Sequence, residues 1–145
     1  MSEPLKIFSQ RCWVDGKLQP ATVHIRGSVI SEVNKTREQD ALDVGDDILM
    51  PGLIDAHVHI NEPGRTDWEG FETATRSAAA GGITTLVDMP LNSSPVTISV
   101  ESLEEKKRAT LGKMQVNIGF YGGLVPANAA HMDAICRSGV LGVKC

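Results

Sequence analysis

The feature that most limits what this chain can become is a change of grammar near Ile48. Before it, short β-type runs stand between turn signals; after it, apolar strand-like runs alternate with stretches long enough for helices. Downstream, Leu53 to Val58, Ile83 to Val87, Val116 to Tyr121 and Val140 onward predict four strands. Between them, Trp68 to Ala80, Ser99 to Leu111 and Ala127 to Arg137 predict three helices. The second helix sets Glu104-Glu105 against Lys107-Arg108 at the three- and four-residue spacing that pairs charges on one face. Strand and helix in alternation, joined by short loops, is the pattern of parallel βα units and places the chain in the α/β class. A small doubly wound sheet meets the same pattern. Gly81-Gly82 precedes a strand rather than following one, so it reads as a helix stop and not as a phosphate loop.

Upstream, Ile7-Phe8, Cys12-Trp13-Val14, Val23-His24-Ile25 and Val29-Ile30 with Val33 predict a small β meander. Asp15-Gly16 supplies its hairpin, because a tight hairpin needs residues that tolerate positive φ. Lys35 to Asp40 is polar and predicts an exposed connection. The division expected is a β part over residues 1–50 and βα units over residues 51–145.

A chain of 145 residues with 41% hydrophobic content can bury one ordinary core. Fourteen Lys+Arg against eighteen Asp+Glu, with no basic block, argue against nucleic acid or an anionic membrane surface as partner. No apolar run is long enough to span a bilayer, and Met1 to Gln10 has no signal-peptide core. Cys12, Cys136 and Cys145 are odd in number and have no metal-like spacing, which favours reduced thiols and an intracellular, cytoplasmic setting, with peroxisome or mitochondrion left open.

The strongest local signal is Asp55-Ala56-His57-Val58-His59. Two histidines two apart on a strand project from the same face and can share one metal ion. They sit at the C-terminal end of the first parallel strand, the edge on which βα barrels build their sites. A strand pair of this kind also suits core or rim imidazoles. His24, in the β part, and His131, in the third predicted helix, read as structural or surface residues. Lys144 ends the fourth predicted strand and on composition alone reads as a lysine reaching solvent.

The segment Pro51-Gly52-Leu53-Ile54-Asp55-Ala56-His57-Val58-His59 resembles the opening motif of the cyclic-amide hydrolases of the amidohydrolase superfamily, the group of dihydropyrimidinase, dihydroorotase and allantoinase. Within that group, Asn61 to Glu72 and Gly81 to Ser93 are similar to the allantoinase pattern. Dihydroorotases carry an arginine two residues after the second histidine, where it grips a substrate carboxylate; here the residue is Asn61, which suits a neutral ring. Gly142-Val143-Lys144-Cys145 resembles the segment whose lysine becomes an N-carboxylated metal bridge.

The resemblance implies hydrolysis of allantoin to allantoate in purine breakdown, at two divalent ions, zinc foremost, bridged by carboxylated Lys144. His57 and His59 would be metal ligands, and Asn61 and Asn92 candidate substrate contacts, although loop asparagines also serve to satisfy backbone groups. The fold implied is a small β-sandwich part followed by the first half of a (β/α)8 barrel. Two further histidines and the proton-shuttling aspartate of that family are not found, so the chain reads as an N-terminal portion, inactive alone, of a protein that forms homo-oligomers, tetramers in particular. Hydantoinase or dihydropyrimidinase specificity, and a non-catalytic scaffold or regulatory fragment, stand as alternatives.

Overall fold

The computed structural model describes residues 4–145. They form two compact units that divide between Pro51 and Gly52.

In the first unit, β1 (Leu5–Val14), β2 (Lys17–Arg26) and β3 (Val29–Asn34) form an antiparallel meander. β4 (Leu42–Asp43) and β5 (Ile48–Leu49) add to the other side of β1 in parallel. The two runs expected as separate pieces, Ile7-Phe8 and Cys12 to Val14, are one strand with a shift of register between Ser9 and Cys12. Polar residues can sit at that break because each finds a partner. The Ser9 hydroxyl donates to Asp47 O at 2.6 Å and accepts from Arg11 N–H at 2.8 Å, while Gln10 N–H donates to Gly45 O at 2.9 Å. Asp15 and Gly16 both have positive φ, 54° and 78°, the condition for the tight hairpin between β1 and β2. Cys12, Ala21 and Val23 form the core of this unit, with Val14, Ile25 and Leu49 against them. Burial pushes the Cys12 thiol pKa up, so it behaves as a small apolar group. His24 is buried and held by Glu38 at 2.7 Å and Glu32 at 3.7 Å, a structural residue of the meander.

The second unit is built in chain order from β6 (Leu53–Val58), α1 (Phe71–Ala80), β7 (Ile83–Asp88), α2 (Val100–Ala109), β8 (Asn117–Gly123), α3 (Met132–Arg137) and β9 (Gly142–Lys144). All four strands are parallel, and their order across the sheet is their order along the chain. Ile60, Phe71, Ala78, Leu86, Leu103 and Phe120 make its core, with Phe71 and Phe120 edge to face at 6.3 Å. No helix among the described residues is long and apolar enough to cross a membrane.

Two helices differ from expectation. α1 starts at Phe71 rather than Trp68, because the Glu62 carboxylate accepts Phe71 N–H at 2.9 Å and caps the helix from a distant loop. The stretch expected as one helix from Ala127 to Arg137 is a 3₁₀ turn, Pro126–His131, followed by the short α3. Asn128 is the cause. Its side chain accepts from Val125 N–H and donates to Ile98 O and Gly123 O, at 2.7 to 2.8 Å, which ties the first turn to β8 before an α-helix can start. His131 therefore stands at a junction between helices, not in mid-helix. Gly81-Gly82 ends α1 as expected, with Gly82 at φ 78°.

Candidate metal centre

His57 lies in β6, and His59 is the first residue but one after it in its histidine spacing, immediately beyond Val58. Their rings are 5.3 Å apart between centroids and tilted by 47°. Lys144 closes β9, and its Nζ stands 3.4 Å from His57 Nε2 although 87 residues separate the two. Parallel pairing explains the meeting. Strands that run the same way bring their C-terminal ends to one edge of the sheet, so β6 and β9 deliver their last residues to a common place.

His57 is exposed, whereas His59 and Lys144 are half-buried. Burial, reinforced by the charges of Lys144 and His57, holds the His59 imidazole below its ordinary pKa and favours the neutral ring that a metal requires. His59 Nδ1 is buried and has no hydrogen-bond partner among the described residues. A half-buried imidazole whose neutral form is favoured and whose buried Nδ1 is unclaimed among the described residues, beside a second imidazole, is the donor chemistry of a zinc-type site. No group of three or more His, Cys, Asp or Glu among the described residues could hold an ion; beside the two imidazoles at this edge stands the Lys144 amine. A groove of about 280 Å³, bounded by Asp55, His59, Glu69 and by Ala74 and Ala78 of α1, gives access to His59.

The backbone on both sides of His59 is held by the end of β7 and the residue that follows it. Val58 O accepts Met89 N–H at 2.8 Å, and Ile60 N–H donates to Asp88 Oδ1 at 2.7 Å. Asp88 Oδ2 in turn receives the Lys106 ammonium of α2 at 2.7 Å, with both side chains essentially inaccessible to water. Burial pushes the Asp88 carboxyl up, and the opposing charge of Lys106 offsets part of that rise. Neither residue was among the sequence-derived candidates. Lys106 was nonetheless detectable, since it falls three residues after the buried Leu103, on the apolar face of α2.

Asn61 follows in the same turn and is buried, with its backbone bonded to Glu69 O and Arg65 N–H and its Oδ1 buried without a partner among the described residues. Asn92 is exposed and adopts φ 74°, which asparagine tolerates better than most residues. Its carbonyl accepts from the Arg65 guanidinium at 3.3 Å, and that guanidinium lies over the Trp68 ring at 5.2 Å. The fold thus gathers His57, His59 and Lys144, sets Asn61 two residues after His59, and joins Asn92 to the Asn61 loop through Arg65, whose guanidinium donates to Asn92 O and whose backbone N–H donates to Asn61 O.

Residues 48–140 match the model of the amidohydrolase family. An allantoinase from Arabidopsis thaliana is 46% identical over 95% of the chain and 29% of its own length. Another, from Streptomyces avermitilis, is 56% identical over 70% of the chain and 23% of its own length. Among solved structures, the L-hydantoinase (dihydropyrimidinase) from Arthrobacter aurescens superposes with a TM-score of 0.81 at 26% identity, over 94% of the chain and 32% of that protein. The chain spans under a third of the length of these relatives. The second unit is accordingly part of a (β/α)8 barrel of the hydrolase type, with its four strands in the barrel's consecutive order.

Proposed function

The chain belongs to the amidohydrolase family, and from that premise we propose that it supplies part of the metal centre of an enzyme that hydrolyses the cyclic amide of allantoin to allantoate. The observation that carries this reading is the convergence of His57, His59 and Lys144 at the C-terminal edge of the parallel sheet. His57 and His59 would hold a divalent ion, zinc foremost. Lys144 would bridge it to a second ion as a carbamate: the ammonium would give one proton to water, the free amine would form an N–C bond to carbon dioxide as one C=O π bond opens, and a second N–H proton would pass to water, so that a cationic amine becomes an anionic carbamate. Bound divalent ions at this edge would supply Lewis-acid polarisation of the ring carbonyl and an acidified water.

The remaining chemistry belongs to the chain's own residues. The low pKa of His59 keeps a nitrogen lone pair available at neutral pH. Asn61 offers a buried oxygen without a partner, fitted to receive an N–H of a neutral ring or ureide group, where an arginine would bury an unpaired charge. Arg65 bonds to both the Asn61 and the Asn92 loop, and Asn92 would be a second candidate contact for the substrate.

A hydantoin or dihydropyrimidine substrate is the second reading, favoured by the likeness to the hydantoinase structure. The sequence relatives weigh towards allantoin, since their identity of 46 to 56% exceeds the 26% of that structure. Turnover of allantoin, hydantoin and dihydrouracil by the longest protein that carries this sequence decides the matter. Allantoin is expected to give the highest kcat/KM, and stripping divalent ions with a chelator is expected to abolish it. Preference for hydantoin or dihydrouracil would transfer the assignment to the second reading.

A further inference from the structure

The geometry points to Asp88 as the positioning residue of the metal centre, fixing His59 through the backbone of Ile60; this rests on the metal reading of His57 and His59. The pairing of β6 with β7 shifts register between Asp55 and Val58, so the regular ladder is interrupted beneath His57. Beyond it, His59 is bracketed by two bonds, one from Asp88 at the end of β7 and one from Met89 just after it. Met89 N–H reaches Val58 O, and the Asp88 side chain takes the place of the missing main-chain acceptor for Ile60 N–H. A side chain can be that acceptor only if it is itself immobile.

Lys106 provides the immobility. Its ammonium donates to Asp88 Oδ2 at 2.7 Å and to Met89 O at 3.3 Å, so one buried cation holds both members of the bracket. Removing a buried ion pair from water is costly, and apolar residues of the same volume pack as well or better. A pair kept at the end of β7, the strand beside the one that carries His57, and bonded to the peptide N–H next to His59, fits an orienting role. Groups that orient metal ligands from behind are worth tenfold to a hundredfold in metal affinity.

Two double variants separate orientation from packing. D88N with K106M removes both buried charges but leaves an amide oxygen facing Ile60 N–H. D88L with K106M removes the charges and the acceptor together, and fills the space with apolar atoms. Zinc(II) affinity, measured by competition with a chromogenic chelator, is expected to stay near the parent value in the first and to fall about 10- to 100-fold in the second. Equal affinity in the two would overturn the inference.

If a protein with His57→Ala and His59→Ala binds zinc as tightly as the parent, the metal reading fails, and the positioning role is then judged without metal. In that case the His59 ring resonances should move and Ile60 amide exchange should quicken in D88L/K106M but not in D88N/K106M. Should neither variant fold, the parent chain still answers. A slow-exchanging Ile60 amide with scalar coupling to the Asp88 carboxylate carbon supports the inference, and a fast-exchanging Ile60 amide refutes it.

Discussion

At Lys144 the chain sets an amine 3.4 Å from an imidazole at the rim of a sheet, where a lysine with no role would extend into solvent. In the protein that carries the activity, Lys144→Ala is expected to abolish turnover, and a short-chain carboxylic acid is expected to restore part of it by taking the carbamate's place. Unchanged activity after substitution would refute the bridge. A second prediction concerns Glu38 in the β meander, whose carboxylate is held down to about 2 by hydrogen bonds from Asn34, Lys6 and His24. Its ordinary value is 4.5, so as pH falls the unfolded chain takes up the proton first. The stabilisation is therefore complete above the ordinary value and drains away as pH drops towards the folded one. Denaturant midpoints followed through that window should decline in the parent and stay flatter in Glu38→Gln; parallel curves would show that Glu38 carries no such linkage.

Among the elements, α1 depends on a residue outside it. Glu62 accepts the first helical N–H and is paired with Lys113, so Glu62→Ala is expected to cost about 2 kcal/mol in urea unfolding, the sum of a lost cap and a stranded charge. A loss below about 0.5 kcal/mol would mean that water replaces the carboxylate. That dependence also marks the limit of what could be read in the chain. The repeat of apolar runs from Leu53 onward predicts every strand of the parallel sheet, because buried parallel strands leave nearly continuous apolar stretches. The spacing of His57 and His59 and the strand-end place of Lys144 are likewise visible in one dimension. The start of α1, the 3₁₀ turn before α3 and the two-residue strands β4 and β5 are not, since each is set by a contact from outside the element: Glu62 for α1, the Ile98 carbonyl that Asn128 binds for the turn, and β1 for the short strands. The pairing of Asp88 with Lys106 escapes for the same reason, since a contact across 18 residues leaves no periodic trace even though the place of Lys106 on the apolar face of α2 does.

For the molecule, the outer strands decide behaviour in solution. β6 and β9 are the two edges of the parallel sheet, and Leu53, Ile54 and Leu141 are 51%, 67% and 65% exposed. Open edges next to exposed apolar side chains invite further pairing. The 145-residue chain is expected to self-associate or bind a hydrophobic dye, as sedimentation and fluorescence would show; a monodisperse monomer with one sharp melting transition would make the second unit self-sufficient. The identity of strand order with chain order has a consequence for how the protein comes into being. No paired residues in this sheet lie more than 32 positions apart, so each strand can dock as soon as it leaves the ribosome, at a similar loop-closure cost each time. His57 is in place from the first strand, but it must wait 87 residues for Lys144. Within this sheet the centre is thus completed only with the fourth strand, and an ion captured between its two ends would close the sheet's longest loop like a clasp.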